Sequence, residues 1–347
     1  MRDWSMAEWV DPAYNWKPIP ITQKPERLLI DFATRCNLRC TNCPVWGVGE
    51  DDEIGQVKGI MPLEKARALL SEVASIKPMI APSIYGEPLL IPNMRQVFSD
   101  MKRMGMAIAM NTNGLTLTED IARFFVEIQV DSIMFSVDAV TNATLKKVRG
   151  IEKLEKIESA VFRMMKVRGD AEYPRIGVSI TVMDENRHEL DAFLERWVGV
   201  VDVVRTGNVF LDGTFPDLVT KGERLPCPAI YKTMPIHNDG SVRLCCLDGF
   251  RATDMGNVFE TSVEEVWNGE AFAKARYYHE TGQWDKVPFC KPCNGWAQYE
   301  YEEEIRDGLL IRRSPEFTYF NRIDRLSAWR GNLLGGHEPP PEHLKAA

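Results

Sequence analysis

The feature of this sequence that most restricts its fold is a regular alternation between short apolar segments and longer amphipathic ones. The apolar segments are rich in Val and Ile and end at polar or turn residues, as buried strands do. They lie at 27–33, 79–85, 106–111, 131–138, 175–182 and 200–206. The stretches between them carry apolar residues every three or four positions, which is typical of helices packed on a sheet. These stretches are 61–76, 92–105, 117–128, 152–169 and 185–197.

Six strands that alternate with helices predict an α/β fold with a parallel sheet built from βαβ units. Six units are two short of a closed eightfold barrel, so we expect an open, partial (β/α)6 barrel. In such folds the working residues lie at the C-terminal ends of the strands. The candidate functional residues are therefore those that directly follow each strand.

Charge and composition exclude several classes of function. The formal net charge of −8 argues against a nucleic-acid-binding protein, which normally has a basic surface. The first residues lack the apolar segment of a secretory signal, and no apolar run is long enough to span a membrane. We therefore expect a cytoplasmic protein without a membrane partner, in which clustered cysteines bind metal or take part in chemistry.

Three cysteines, Cys36, Cys40 and Cys43, follow the first strand. Structural zinc sites are closed by four protein ligands, and catalytic zinc sites rarely use three cysteines. A [4Fe–4S] cluster held by three thiolates leaves one iron free for a substrate or cofactor. A zinc knuckle is the alternative interpretation.

The CxxxCxxC spacing after the first strand of a partial barrel resembles the radical S-adenosylmethionine (SAM) superfamily. The resemblance implies that the open iron binds SAM and that one electron cleaves it to methionine and a 5′-deoxyadenosyl radical. This radical abstracts hydrogen from the substrate, and the protein positions the cofactor that performs the chemistry. A flavodoxin or ferredoxin is the implied electron donor.

The segment "IYGEPLL" resembles the glycine-glycine-glutamate motif of that superfamily, which binds the SAM amino group. Tyr85 replaces the first glycine, and Gly86 and Glu87 complete the motif. The aromatic residue that commonly precedes the third cysteine, and packs on the adenine, is replaced by Asn42. We expect Trp46 to supply that contact instead.

The resemblance also implies SAM contacts on the later strands. Arg149 is the expected partner of the SAM carboxylate, and Val182 is expected near the adenine; the other members are Asn111, Asn113, Ser136, Asp138, Ser179 and Thr181. Five of these residues also have a structural alternative. The two asparagines shape a turn, Ser136 and Asp138 cap the following helix, and Arg149 is a surface charge.

A second group of cysteines lies near the C-terminus: Cys227, Cys245, Cys246, Cys290 and Cys293. The segment "IHNDGSVRLCC" predicts a hairpin that ends at the adjacent pair. The region resembles the SPASM domain, or its shorter twitch form found in an aminocyclitol dehydrogenase. Gly240, Gly256, Asn257, Trp267 and Asn268 share in that resemblance.

A full SPASM domain has seven cysteines and two auxiliary clusters, so the resemblance here implies one auxiliary [4Fe–4S] cluster. Its expected ligands are Cys227, Cys245, Cys290 and Cys293. Adjacent side chains on a strand point to opposite faces, which leaves Cys246 outside the ligand set. Cys246 is then either a buried apolar residue or a hydrogen-atom donor, and a zinc ribbon is the alternative for the whole group.

These features predict four parts of the chain. They are an N-terminal extension (1–26), a radical SAM partial barrel (27–206), a SPASM or twitch domain (207–300), and a C-terminal helix with a mobile tail (301–347).

The predicted function is a radical SAM oxidoreductase that converts an alcohol of a small sugar-like or aminocyclitol-like substrate to a ketone. The auxiliary cluster would accept the released electron. Arg205 is the expected catalytic residue, orienting the substrate hydroxyl, with Tyr85 and Asn208 as substrate contacts. The alternatives are a peptide-modifying SPASM enzyme, a radical epimerase with Cys246 as hydrogen donor, and a zinc-stabilised binding protein.

Overall fold

The computed structural model describes residues 24–47, 58–211, 213–218, 220, 223–248, 253–299, 302–314 and 317–328. The strands, in chain order, are β1 Arg27–Ile30, β2 Ala33–Thr34, β3 Gly59–Ile60, β4 Met79–Ala81, β5 Ala107–Thr112, β6 Ser132–Ser136, β7 Arg175–Val182, β8 Val203–Asn208, β9 Thr233–Ile236, β10 Ser241–Val242, β11 Gly256–Asn257, β12 Glu302–Arg306, β13 Leu309–Ser314 and β14 Phe317–Arg325. The α-helices are α1 Leu63–Val73, α2 Met94–Arg103, α3 Glu119–Glu127, α4 Asn142–Arg149, α5 Leu154–Arg168, α6 Leu190–Trp197, α7 Ala229–Lys232, α8 Val263–Trp267 and α9 Glu270–Glu280.

The six predicted barrel strands are present and parallel, in the spatial order β1-β4-β5-β6-β7-β8. The residues on one face of these strands are fully buried, as in Ile80, Ile108, Ile133 and Val178. The helices pack their apolar faces on this sheet; α1, for example, buries Ala66, Leu69, Leu70 and Val73. The alternation in the sequence thus produces the predicted α/β fold.

The barrel sheet continues at both edges with strands from the C-terminal part of the chain. β9 pairs parallel with β1, and β10 and β11 follow as antiparallel neighbours. The predicted hairpin after Ile236 is confirmed. A Cβ on Gly240 would lie 2.4 Å from the Asn257 side-chain oxygen, so this turn requires glycine.

The predicted helix after residue 301 is wrong. β12, β13 and β14 form an antiparallel meander that pairs with the free edge of β8. Asp307 and Gly308, with φ of 52° and 75°, form the turn between β12 and β13, and Asp-Gly is a strong two-residue hairpin signal. Asp324 of this meander forms a fully buried ion pair with Arg175 at the start of β7. The predicted extension 1–26 lies almost entirely outside the described residues, as does the tail after residue 328.

The predicted domain boundary at residue 206 falls inside β8, which runs to Asn208. Because β9 and β14 join the same sheet as the barrel strands, the C-terminal region is built onto the barrel. Within the described ranges, no helix is long and apolar enough to cross a membrane.

Candidate functional site

The three-cysteine loop connects β2 to β3, which pair antiparallel as a separate two-stranded sheet. Cys36, Cys40 and Cys43 are all half-buried free thiols. The loop is held by a Cys43 N–H to Cys40 C=O hydrogen bond of 3.0 Å and docks on α4 through Thr41, whose N–H donates to the Val148 carbonyl at 3.1 Å. Backbone hydrogen bonds therefore hold the loop both within itself and against α4.

The donor set of this loop fits an iron–sulfur cluster. All three donors are sulfur, which favours zinc or iron–sulfur over hard metals. In the part of the chain that the structure describes, no three His, Cys, Asp or Glu side chains converge as ligands of a single metal ion; a four-iron cluster takes its thiolates on separate irons. Burial raises the pKa of Cys40 to about 11, opposed by the charge of Arg149, and metal binding would displace that proton.

The Gly86–Glu87 segment packs directly on this loop. The Glu87 N–H donates to the Arg35 carbonyl at 2.7 Å, next to Cys36. A Cβ on Gly86 would lie 2.1 Å from the Ala33 carbonyl oxygen, a distance that real side chains do not reach. Glycine is therefore required at position 86 by close backbone approach.

The buried Glu87 carboxylate fixes the turn that follows β5. It accepts hydrogen bonds from the Thr112 hydroxyl at 2.5 Å, the Asn113 N–H at 2.8 Å and the Leu89 N–H at 3.2 Å. The Asn113 side chain donates in turn to the Asn37 side chain of the cysteine loop at 2.8 Å. The Asn113 side-chain oxygen Oδ1 also accepts from the Leu115 N–H, which is the predicted turn-shaping role.

Arg149 is buried, so its interpretation as a surface charge is wrong. Its Nε and Nη2 donate to the Asp138 carboxylate at 2.8 and 2.6 Å. Asp138 also accepts from the Thr181 N–H at 2.7 Å and does not cap α4, whose cap is Thr141. Arg149 therefore lies beside the cysteine loop as half of a buried ion pair.

Polar side chains from three adjacent strands lie in one row inside the barrel. Ser136, Ser179 and Arg205 are direct register partners on β6, β7 and β8, so they share a face. The Arg205 Nη2 reaches the Asn111 side-chain oxygen on β5 at 3.2 Å. Burial lowers the pKa of Arg205, opposed by the charge of Asp138. These side chains line the barrel interior, where a substrate would bind.

Val182 lies on the opposite face of β7 and is fully buried. It packs in a small cluster with Phe215, Leu218, Trp296 and Ala297. Val182 has no exposed surface in this structure, and its contact with the adenine stays a prediction. The neighbouring Thr181 contributes its N–H to Asp138 rather than to open space.

A cavity of about 360 Å³ lies beside Cys36, lined by Arg35, Arg39, Trp46 and Leu90. Its size is within the range of small-molecule sites. The Arg39 guanidinium and the Lys58 ammonium each lie 4.7 Å from the centre of the Trp46 ring. The ring of Trp46 is therefore already engaged in cation–π contacts.

The second cysteine group assembles from three segments of the C-terminal region. Cys227 precedes α7, Cys245 and Cys246 follow β10, and Cys290 and Cys293 lie on a turn after α9. Burial, and then the charges of Cys293 and Cys246, raise the pKa of Cys227 to about 12. Thiols distant in sequence are therefore close enough to interact, and an all-sulfur donor set again fits an iron–sulfur cluster.

Cys245 and Cys246 do not lie on a strand. The prediction that their side chains point to opposite faces of a strand is therefore wrong. β10 ends at Val242, and Cys245 begins a turn closed by the Asp248 N–H. A hydrogen bond between the two thiols raises the pKa of Cys245 and lowers that of Cys246. The two thiol groups therefore lie within hydrogen-bonding distance of each other.

Two contacts of this group were not expected from the sequence. The Tyr85 hydroxyl donates to the Cys246 carbonyl at 2.6 Å, and the Cys227 N–H donates to the His279 Nδ1 at 3.3 Å. Burial and the charge of Arg224 lower the pKa of His279 to about 4, so its imidazole is neutral at pH 7. The signal for Tyr85 was its place in a glycine motif, whereas nothing in the sequence singled out His279.

Two family models match the chain, the radical SAM superfamily at residues 30–196 and the SPASM iron–sulfur cluster-binding domain at residues 227–294. The chain is a radical SAM enzyme with a SPASM domain. This confirms the predicted family and cofactors: a SAM-binding [4Fe–4S] cluster, auxiliary iron–sulfur binding and SAM.

Two curated relatives resemble this radical SAM enzyme over most of its length. An uncharacterized protein of Treponema pallidum is 29% identical over 60% of this chain and 63% of its own length. A tungsten-containing aldehyde ferredoxin oxidoreductase cofactor-modifying protein of Pyrococcus furiosus is 25% identical over 73% of this chain and 71% of its own length. The chain thus spans less than two thirds of the Treponema protein.

Solved radical SAM structures share the fold. BtrN in complex with AdoMet and 2-DOIA is 17% identical, with a TM-score of 0.52 over 79% of this chain and 94% of BtrN. Streptococcus suis SuiB bound to its precursor peptide SuiA is 14% identical, with a TM-score of 0.57 over 85% of this chain and 75% of SuiB. One neighbour therefore holds a small molecule and the other a peptide.

Proposed function

We propose that this radical SAM enzyme oxidises an alcohol of a small polyhydroxylated substrate, sugar-like or aminocyclitol-like, to a ketone. The supporting observation is the hydrogen bond between Tyr85, beside the Gly86–Glu87 motif, and the Cys246 carbonyl in the second cysteine group. This contact links the second cysteine group to the SAM motif, as electron transfer from a substrate in the barrel to a cluster in that group requires.

In this proposal Cys36, Cys40 and Cys43 would hold the SAM-binding cluster, and Cys227, Cys245, Cys290 and Cys293 would hold one auxiliary cluster. Cys245 is preferred to Cys246 because it lies five residues after Gly240, as in the SPASM motif. When bound, SAM and its cluster would supply the radical that removes a hydrogen atom from a substrate carbon, and an auxiliary cluster held by the second cysteine group would accept the electron released as the C–OH group becomes C=O. The hydroxyl also loses its proton, which would pass to water.

Arg205 is the residue that we propose to orient this hydroxyl. Its guanidinium lies in the interior row and is held by Asn111, so further N–H groups are available to a substrate oxygen. Arginine keeps its proton in proteins, hence Arg205 acts by donating hydrogen bonds to the oxygen rather than by removing its proton. Ser136 and Ser179, its register partners, offer hydroxyls for neighbouring substrate oxygens.

The residues proposed for SAM binding divide into two kinds. Gly86 and Glu87 shape the backbone around the cysteine loop, and Ser136 and Thr181 lie at the strand ends. Arg149 would act on the SAM carboxylate by its charge, since its Nε and Nη2 are already bonded to Asp138. A flavodoxin or ferredoxin is the proposed source of electrons.

A radical epimerase is the second candidate, and the observation that favours it is the position of Cys246. Its carbonyl is fixed by Tyr85, and it lies at the turn that faces the SAM motif. In an epimerase, Cys246→Ala would stop product formation while 5′-deoxyadenosine continues to form. In the dehydrogenase, Cys246→Ala would leave product formation in place.

A peptide-modifying activity is a third candidate, supported by the shared fold with SuiB bound to a precursor peptide. It differs from the other two in the size of the substrate. A peptide substrate would protect many residues around the C-terminal ends of the barrel strands from hydrogen exchange, whereas a sugar would protect only the interior row.

The test of the proposed function is metal analysis of protein purified and reconstituted without oxygen. About eight irons per chain would correspond to two [4Fe–4S] clusters and support an auxiliary electron acceptor. About four irons with one zinc would leave the dehydrogenase without its acceptor and would overturn the proposal.

A further inference from the structure

Arg224 lies inside the second cysteine group, in a position that the reaction outlined above does not use. Its Nη2 donates to the Cys290 carbonyl at 2.6 Å and its Nη1 to the Lys291 carbonyl at 3.4 Å. Its guanidinium also lies 5.1 Å from the centre of the Trp284 ring. Two hydrogen bonds and an aromatic face thus fix a positive charge against the turn that carries two of the cysteines.

The electrostatic surroundings of Arg224 are dominated by thiols. Burial lowers its pKa, and the charges that oppose this are those of Cys290, Cys293 and Cys227. An arginine remains protonated even with a lowered pKa. The group is therefore a permanent cation close to three of the four proposed ligands.

Other charged groups at this site do not cancel that cation. The Nδ1 of His279 accepts a hydrogen bond from the Cys227 N–H, so this nitrogen carries no proton and the imidazole is uncharged. The Asp248 carboxylate acts on Cys290 in the opposite sense but more weakly than Arg224. It is also occupied by the Thr253 N–H and hydroxyl, each at 2.7 Å.

A cluster becomes more negative by one charge when it accepts an electron. A fixed cation nearby stabilises the reduced form more than the oxidised form, and partial burial limits screening by water. The net charge around a cluster is one of the factors that set its reduction potential.

We infer that Arg224 raises the reduction potential of the auxiliary cluster and so makes it a better acceptor of the substrate electron. Arg224 is a positioning residue in this role, because it acts through the cluster and does not touch the substrate. The inference rests on the proposed auxiliary cluster and adds a residue that favours electron transfer to it by raising its reduction potential.

The test is a redox titration of the auxiliary cluster, followed by EPR spectroscopy, in anaerobically reconstituted full-length protein. Arg224→Gln removes the charge and keeps hydrogen-bonding capacity. We expect it to shift the equilibrium about tenfold toward the oxidised cluster, which is about 59 mV for one electron. Arg224→Lys keeps the charge and should stay close to the wild-type potential.

Lys291→Gln is the matched control, since it removes a positive charge from the same turn but from an exposed side chain. Water screens that charge, so its removal should shift the potential much less than Arg224→Gln does. Equal shifts for both variants would show that the partly buried position of Arg224 has no special effect, and the inference would be wrong.

The remaining outcomes are also decisive. A wild-type potential in fully loaded Arg224→Gln overturns the inference and leaves the proposed function standing. The absence of a second iron–sulfur signal in the wild type overturns both. If Arg224→Gln does not load its auxiliary iron, Arg224→Met is titrated instead. Failure of both to load would show that Arg224 is needed to build the site rather than to set its potential.

Discussion

The hydroxyl of Tyr85 donates a 2.6 Å hydrogen bond to the carbonyl oxygen of Cys246, and this contact joins the two cysteine-bearing regions. Tyr85 is itself held at its base, where the Asp31 carboxylate accepts the Ile84 and Tyr85 N–H groups. Its ring stacks on His237 with centroids 6.3 Å apart. A residue that replaces a glycine of the SAM motif therefore fixes the position of the Cys245–Asp248 turn.

Tyr85→Phe should loosen that turn without unfolding the barrel. Loss of one hydrogen bond costs about 1 kcal/mol, which corresponds to roughly fivefold faster local opening. Amide hydrogen exchange at residues 245–248 measures this directly. Tyr173→Phe is the control, because it removes a hydroxyl far from both cysteine groups. Equal exchange rates at residues 245–248 in the two variants would show that the Tyr85 hydrogen bond does not stabilise this turn.

Arg149→Met should destabilise the protein strongly. The change leaves the Asp138 carboxylate buried without its cation, and breaking a buried pair in this way costs about 3–5 kcal/mol. Thermal unfolding gives the comparison with Arg123→Met, which breaks the exposed Arg123–Glu119 pair and should cost below about 0.5 kcal/mol. Similar losses for both would mean that the Arg149 pair is not desolvated.

Glu87→Gln should weaken SAM binding and lower stability together. The NH2 group of glutamine is a donor and would face one of the N–H or O–H donors that now bind the carboxylate. A buried donor left without an acceptor costs about 1–3 kcal/mol. SAM affinity by equilibrium binding and the thermal midpoint are the two measurements. Glu64→Gln, on the exposed side of α1, should change neither; a normal SAM affinity in Glu87→Gln would remove the carboxylate from the binding site.

Glu189 should make stability depend on pH through the N-terminus of α4. Its carboxylate accepts from the Val140 N–H and the Thr141 and Thr144 hydroxyls. Burial alone would raise its pKa, but these hydrogen bonds outweigh it and hold the pKa below the ordinary value of 4.5. The folded state therefore gains stability from the carboxylate above pH 4.5 and loses it as the pH falls through the folded pKa.

Comparison of Glu189→Gln with the wild type tests this sign. At pH 7 the variant should be less stable by about 1–3 kcal/mol, because it lacks the charged acceptor. At acid pH the wild-type carboxylate is protonated and the difference in thermal midpoint should shrink. A difference that grows toward low pH would contradict the assignment.

The barrel was predictable because its signals are local. Each strand is a short Val- and Ile-rich run, each helix has an apolar face, and the cysteine loop follows β1 directly. The Asn-Asp-Gly sequence at 238–240 likewise predicts its hairpin from a few neighbouring residues. For these elements the chain's local preferences agree with the final packing.

The parts that escaped prediction depend on distant contacts. The acidic and basic run before Leu309 favours a helix by composition, but its pairing with β13, in a meander whose β14 pairs with β8, makes it a strand. Arg149 sits beside Lys146 and Lys147 in the sequence, which suggests an exposed basic face. Only the position of Asp138, whose φ of 63° turns the chain after β6, shows that Arg149 points inward. The positions of Tyr85 and Arg224 likewise depend on contacts with cysteines far along the chain.

The pairing of β1 has a consequence for the order in which the protein is made. β1 lies between β4 and β9, and β9 belongs to the C-terminal region. Domains are synthesised and begin to fold from the N-terminus, so during translation β1 has one unpaired edge for most of the time that the barrel is forming. The cysteine loop that follows it leaves the ribosome well before any cysteine of the second group. The first metal-binding loop to be made is thus carried by a strand whose pairing is completed only when β9 arrives.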